Sequence, residues 1–191
     1  MDEQRPSGFL DRDGVINEQA PPHQYILSWK QFKYLPGVYE AIGILNKKGY
    51  KVMIVTNQRC VARGLATIED IEDLNRRLIQ DIAAHGGEID AVYYCPHDVA
   101  DQCDCRKPQT GMLVKAEKEL LAKGFKIDKE RSWMIGDFWS DIQTGIRYGV
   151  NTIRILSGGK DTSLPVKIDN DGLLHLEADS LLAAAKIILQ G

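Results

Sequence analysis

Val52, Met53, Ile54 and Val55 form an unbroken apolar run, bounded by Lys51 on one side and by Thr56 and Asn57 on the other. A strand with no polar face must be covered on both sides, as happens when helices flank a parallel sheet. The segments around it have the matching rhythm. Gly8 to Leu10 is a short apolar run ending at Asp11, Ile89 to Tyr94 reads as a third strand, Trp133-Met134-Ile135 as another and Thr152 to Ile155 as a last one. Between them lie helical patterns. Val38, Ile42 and Leu45 mark one that stops at Gly49. Thr67, with Asp70 three residues on, starts a longer helix whose stripe is Ile68, Ile71, Leu74, Leu78 and Ile82, ending at Gly86. Another follows Gly111 through Met112, Ala116 and Leu120, and Leu181 to Leu189 closes the chain. This alternation predicts an α/β fold, a Rossmann-like three-layer sandwich with a mainly parallel sheet, over a single domain spanning 1–191.

In such sheets ligands bind beyond the carboxyl ends of the strands, so reactive residues should stand just after them. Asp11-Arg12-Asp13-Gly14 follows the first strand. Two carboxylates at that spacing can point into one crevice, hold a hard cation and divide the work of nucleophile and proton carrier; alone they are equally compatible with a solvated turn. Thr56-Asn57-Gln58 follows the second strand, with a hydroxyl and backbone N–H groups suited to phosphate oxygens. Arg106-Lys107-Pro108 follows the third, and a lysine held beside a proline can neutralise a phosphoryl group. Gly136-Asp137 follows the next strand, with Asp141 four residues later, giving the second acidic site that a magnesium ion needs. Each cluster is ambiguous alone; their order at successive strand ends is that of a phosphoryl-transfer site.

Cys95-Pro96-His97 and, five residues on, Cys103-Asp104-Cys105 supply three thiolates and one imidazole. Those ligands match a closed tetrahedral zinc site; the bland alternative is two buried strand-end cysteines and a surface Cys-x-Cys. Cys60 is left over as a small loop residue. The formal net charge of −3 argues against nucleic acid, whose phosphates are met by basic faces. The polar start MDEQRPSGFL lacks the apolar stretch of a signal peptide, and no apolar run spans a bilayer. The expectation is a cytoplasmic monomer that acts on a small phosphorylated metabolite.

The series Asp11-x-Asp13-Gly14, Thr56-Asn57, Lys107 and Gly136-Asp137-x-x-x-Asp141 resembles the four ordered motifs of the haloacid dehalogenase superfamily, over the chain from about Phe9 to Leu156. More narrowly, DRDGVIN, TNQ-x-x-x-ARG, YYCPH and CDCRKP are similar to the D-glycero-D-manno-heptose 1,7-bisphosphate phosphatases and the related histidinol-phosphate phosphatases. The resemblance implies a magnesium-dependent phosphatase. Asp11 would be the nucleophile that becomes phosphorylated, and Asp13 the general acid and base. Asp11, the Asp13 carbonyl and Asp137 would hold magnesium, while Thr56 and Lys107 stabilise the phosphoryl oxygens. Cys95, His97, Cys103 and Cys105 would hold structural zinc and orient the chain ahead of Arg106 and Lys107.

The intervals between motifs leave no room for a separate cap domain. The loops Asn17 to Tyr34 and Gln58 to Gly64, with the zinc loop 95–105, would then shape the pocket. Asn57, Gln58, Arg59 and Arg106 are the expected substrate contacts, with Arg106 meeting a second anionic group. Ala62-Arg63-Gly64 favours the heptose branch, whereas Phe138 stands where its members often carry a basic residue. Histidinol phosphate therefore remains a second candidate substrate. A catalytically inactive relative is disfavoured, since every motif position carries a competent residue.

Overall fold

In a computed structural model, which describes residues 3–156 and 172–190, the chain is built of strands with helices interspersed between them. The strands are β1 (Glu3–Arg5), β2 (Ser7–Leu10), β3 (Lys51–Asn57), β4 (Ala91–Cys95), β5 (Phe125–Ile127), β6 (Trp133–Gly136), β7 (Asn151–Ile155) and β8 (His175–Ala178). The helices are α1 (Val38–Lys47), α2 (Ile68–Ala84), α3 (Gly111–Ala122), α4 (Trp139–Tyr148) and α5 (Leu181–Gln190). Six strands form one parallel sheet in the order β4-β3-β2-β6-β7-β8, while β1 and β5 pair separately, also in parallel. The chain first winds outward from β2 through β3 to β4, then returns to the other side of β2 to lay down β6. The direction of winding therefore reverses at β2, and a crevice opens where the connections part.

Strand periodicity sends alternate residues to opposite faces. Leu10, Val52, Ile54 and Ile135 face one core with Val38, Ile42, Leu78 and Ala184 of α1, α2 and α5. Phe9, Met53, Val55 and Met134 face the other with Met112, Leu113, Ala116 and Tyr148 of α3 and α4. These are the three expected layers. The capping box at Thr67 and Asp70 is present, each side chain bonded to the other's backbone N–H. Gly49 and Gly86 both take positive φ just beyond their helices.

Several elements differ from the expectation. Ile68 is 44% exposed at the first residue of α2, and the buried face of the helix begins at Ile71. The third strand starts at Ala91 rather than Ile89. β7 is not the last strand, since β8 pairs along it. Helix α4 has no legible apolar stripe because its buried face is Asp141, Ile142, Thr144, Gly145 and Tyr148. Gly145 is needed there, as a Cβ would run into Met134 and Thr152 on the sheet. Of the expected span 1–191, residues 1–2, 157–171 and 191 lie outside the described residues. No helix among those described is long and apolar enough to cross a membrane.

Candidate active site

Asp11 is the first residue past β2, and its backbone N–H still donates to Ile135 O at 2.9 Å, so the sheet holds it at the point of reversal. Lys107 arrives from the chain after β4 and is almost fully buried. Its ammonium lies 2.8 Å from Asp11 Oδ1 and 2.6 Å from Asp141 Oδ1, and donates to Val55 O at 2.8 Å. Three oxygens thus meet the three hydrogens of one ammonium. Burial by itself would lower the lysine pKa, but the two carboxylates outweigh it and hold Lys107 charged.

Asp137 completes a buried acidic group. One carboxylate oxygen from each of Asp11, Asp137 and Asp141 lies within 4.8 Å of the others. Burial, then the charge of Lys107 working against it and of Asp141 working with it, leave Asp11 pushed up to about 7. Burial and repulsion from Asp11 and Asp141 push Asp137 up to about 9. Oδ1 of Asp137 is buried and has no hydrogen-bond partner among the described residues, while Gln19 bonds Oδ2. Three crowded carboxylates against one ammonium, with an oxygen left over, fit a small hard cation. Gly14 is part of this geometry. It takes φ +89°, and a Cβ there would collide with Asp137 Oδ2. Gly136 likewise leaves room for the Asp141 side chain. Asp141 also accepts from Phe138 N at 3.0 Å and so caps α4.

Asp13 stands at the cleft with 30% of its side chain exposed. The fully buried Arg12 grips it at two points, Nε to Oδ1 and Nη2 to Oδ2, both 3.1 Å. Asn17 Nδ2 donates to Oδ1 at 2.8 Å and Gln58 Nε2 to Oδ2 at 3.3 Å. Burial works to raise the Asp13 pKa, but Arg12 and the two amides hold it below the usual carboxylate value.

The expected substrate contacts divide. Thr56, Asn57, Arg59 and Arg106 line the same cleft as Asp11, Asp13 and Lys107, a space of ≈ 630 Å³. The Asn57 amide is engaged with the Lys107 backbone, accepting from N at 3.0 Å and donating to O at 3.2 Å, so it fixes the lysine. Gln58 is a correction. It is 2% exposed and does not line the cleft, because its amide turns inward to donate to Thr56 Oγ1 and Asp13 Oδ2. Arg59 is ion-paired with Asp98, and Arg106 Nη1 donates to His97 O at 3.2 Å. The loop 17–34 contributes Gln19, Tyr25 and Ile26 to the opposite wall, and Phe138 is 41% exposed beside them. Cys60 is wholly buried, its thiol 3.8 Å from Gln58 Oε1.

The four expected ligands after β4 converge. Cys95 Sγ is 3.6 Å from both His97 Nδ1 and Cys103 Sγ, Cys105 Sγ is 3.3 Å from His97 Nδ1, and the Cys103 and Cys105 sulfurs are 3.5 Å apart. Metal–sulfur bonds of about 2.3 Å would put tetrahedral sulfurs roughly 3.7 Å apart, so the group could hold one metal ion.

A family model described as HAD-hydrolase-like matches residues 104–172. The D-glycero-beta-D-manno-heptose-1,7-bisphosphate 7-phosphatase of Photorhabdus laumondii subsp. laumondii is 37% identical over 190 residues, spanning 96% of this chain and 95% of that protein. The chain belongs to the haloacid dehalogenase-like hydrolases, in the branch of the heptose-bisphosphate phosphatases. The Haemophilus influenzae protein of the same name is 34% identical across 94% of this chain and 95% of its own. A crystal structure of D,D-heptose 1,7-bisphosphate phosphatase from B. bronchiseptica, complexed with magnesium and phosphate, superposes with a TM-score of 0.78 at 28% identity, over 98% of both chains.

As a haloacid dehalogenase-like phosphatase, the chain places its four motif clusters around one cleft, as their positions at strand ends implied. Sequence reasoning missed the supporting residues. Gln19 comes from a loop with no periodic pattern and reaches Asp137 across the site. Arg12 stands inside the first motif, yet its burial against Asp13 and Asn75 of α2 is invisible in a string where arginine usually marks surface. Asn17 carried a signal only as part of DRDGVIN.

Proposed function

We propose that this chain is a magnesium-dependent phosphatase that removes the 7-phosphate of D-glycero-D-manno-heptose 1,7-bisphosphate through an aspartyl-phosphate on Asp11. The observation that carries the reading is the buried contact of the Asp11 carboxylate with Lys107, facing the same cleft as Asp13. The names of its relatives support the choice of sugar.

Asp11 attacks phosphorus in line with the leaving sugar oxygen, and the phosphorus–oxygen bond of the ester breaks. Arg12, Asn17 and Gln58 keep Asp13 ionised in the free protein, so the proton it relays to the leaving oxygen enters with the monoprotonated phosphate. Asp13 then takes a proton from water as that water attacks the phosphorus of the phospho-Asp11; the bond from phosphorus to Asp11 breaks, inorganic phosphate leaves, and Asp13 releases its proton to solvent, so that both carboxylates are restored. Lys107 and Thr56 hold the oxygens over which charge spreads, at positions set before substrate arrives. Magnesium, held by the carboxylates of Asp11 and Asp137 and the carbonyl of Asp13, would offset the repulsion between carboxylate and phosphate. Zinc on Cys95, His97, Cys103 and Cys105 would staple the loop that leads into Arg106 and Lys107.

Turnover of heptose 1,7-bisphosphate and of histidinol phosphate, measured side by side with and without magnesium, tests the reading. Heptose bisphosphate should be the better substrate and magnesium obligatory. Faster turnover of histidinol phosphate would transfer the assignment to the other branch.

A further inference from the structure

Two arginines enter the cleft, and adjacent residues of the cysteine loop hold both. His97 holds Arg106 through its carbonyl. Asp98 holds Arg59 through its carboxylate, with Nη2 2.5 Å from Oδ1, and reaches Arg63 Nε at 3.7 Å. Arg59 lines the cleft and Asp98 does not, so the carboxylate grips the guanidinium from behind without occupying the space in front of it. Asp98 is itself fixed. Its side chain caps the short 3₁₀ turn Val99–Asp101, accepting from Val99 N, while its own N–H donates to Asp101 Oδ2 at 2.7 Å. The pairing holds its carboxyl below the usual range, Arg59 being the main cause. Arg63 is braced from the other side, its guanidinium 6.0 Å from the centre of the Tyr25 ring.

The charges on this wall do not cancel. Asp98 balances one of Arg59 and Arg63, and no described carboxylate lies within ion-pair distance of Arg106. Arg63 does not line the cleft itself, but its share of Asp98 leaves Arg59 incompletely neutralised, and with Arg106 a surplus of positive charge faces the cleft and favours an anion there. Lys107 sits deep in the site beside Asp11, Asp141 and Val55 O, where its charge serves the phosphate being cleaved. We infer that Arg59, aimed by Asp98, joins Arg106 as a second arm of a subsite for the substrate's distal phosphate, Asp98 being its positioning residue. This rests on the bisphosphatase reading and assigns the recognition of the second phosphate.

A purely structural alternative exists, since Gln58 N and Ala62 N also bond to the carbonyls of Cys95 and Pro96 and tie the same two loops together. The two are separable. Asp98→Asn removes the charge but keeps a side chain able to cap the turn. With a sugar 1,7-bisphosphate it should raise KM about tenfold and move kcat less than roughly twofold, as expected for one lost charge-assisted contact. With the same sugar carrying only the 7-phosphate, KM should move less than about twofold. Asp98→Glu should restore part of the loss, and Asp98→Asn combined with Arg59→Ala should be no worse than Arg59→Ala alone. Equal effects on both substrates, or additive losses, would overturn the inference. Should the wild-type protein hydrolyse neither substrate, the phosphatase reading fails on its own. Calorimetric titration with the bisphosphate then decides the subsite: binding about tenfold weaker in Asp98→Asn sustains it, and equal affinities overturn it.

Discussion

Oδ1 of Asp11 and Nζ of Lys107 stand 2.8 Å apart, both buried, although one directly follows β2 and the other lies beyond the loop that follows β4. The contact does two things. It offsets a carboxylate that burial would otherwise protonate, and it sets the ammonium beside the proposed nucleophile, where a phosphoryl group would sit. Asp141 holds the lysine from the far side and caps α4 with its other oxygen, linking the helix to the chemistry.

Asp11→Asn keeps the shape of the side chain and removes its nucleophilicity. Steady-state turnover should fall below about one part in a thousand of wild type, with folding retained. Higher residual turnover would remove Asp11 from the nucleophile's role.

The acidic group makes the metal-free protein sensitive to pH. Asp11 and Asp137 titrate near about 7 and 9 in the folded chain, against an ordinary value of 3.8. Above about pH 4 the unfolded chain releases protons that the folded one keeps, so stability declines as pH rises from about 4 to 9. Magnesium held by this group would bind the ionised carboxylates, so the rise in Tm that it causes should be larger at about pH 8.5 than at about pH 6. Thermal melts with and without magnesium at both values check this. An equal rise at each would mean that the ion does not bind these carboxylates.

The cysteine cluster should behave differently from the carboxylate group. Brief EDTA treatment should strip magnesium and stop turnover, with full recovery on adding it back, while about one zinc per chain survives. Cys103→Ser should lower Tm and turnover together, and magnesium should rescue neither. Protein without zinc, whose Cys103→Ser variant melts and turns over like wild type, would show a loop held by packing alone.

Arg106→Ala and Lys107→Ala should part company on substrates with one and two phosphates. A charge-assisted contact to a second phosphate contributes roughly 1.5–3 kcal/mol, or about ten- to a hundredfold in kcat/KM. Arg106→Ala should lose that factor on the bisphosphate and far less on a monophosphate. Lys107→Ala should damage both, because every substrate shares the phosphate it serves and because it strands the Asp11 and Asp141 carboxylates. Equal losses for Arg106→Ala on both substrates would confine it to the phosphate being cleaved.

Much of this was legible in the linear chain. The run Val52 to Val55 demanded a doubly covered strand, Thr67 and Asp70 marked the start of α2, and the polar clusters at strand ends picked out residues that converge on one cleft. These are local signals, set by backbone periodicity and by hydrogen bonds spanning three or four residues. Tertiary structure decided which way side chains turn and which partners they meet. Gln58 and Arg59 are neighbours, yet one is buried under Asp13 and the other lines the cleft against Asp98. Arg12 is buried because Asp13 and Asn75 close over it, and α4 hid its core face because Asp141 and Thr144 occupy it. Such choices depend on contacts between segments remote in sequence, whose energies exist only once the sheet and its loops have assembled, and no local pattern encodes them.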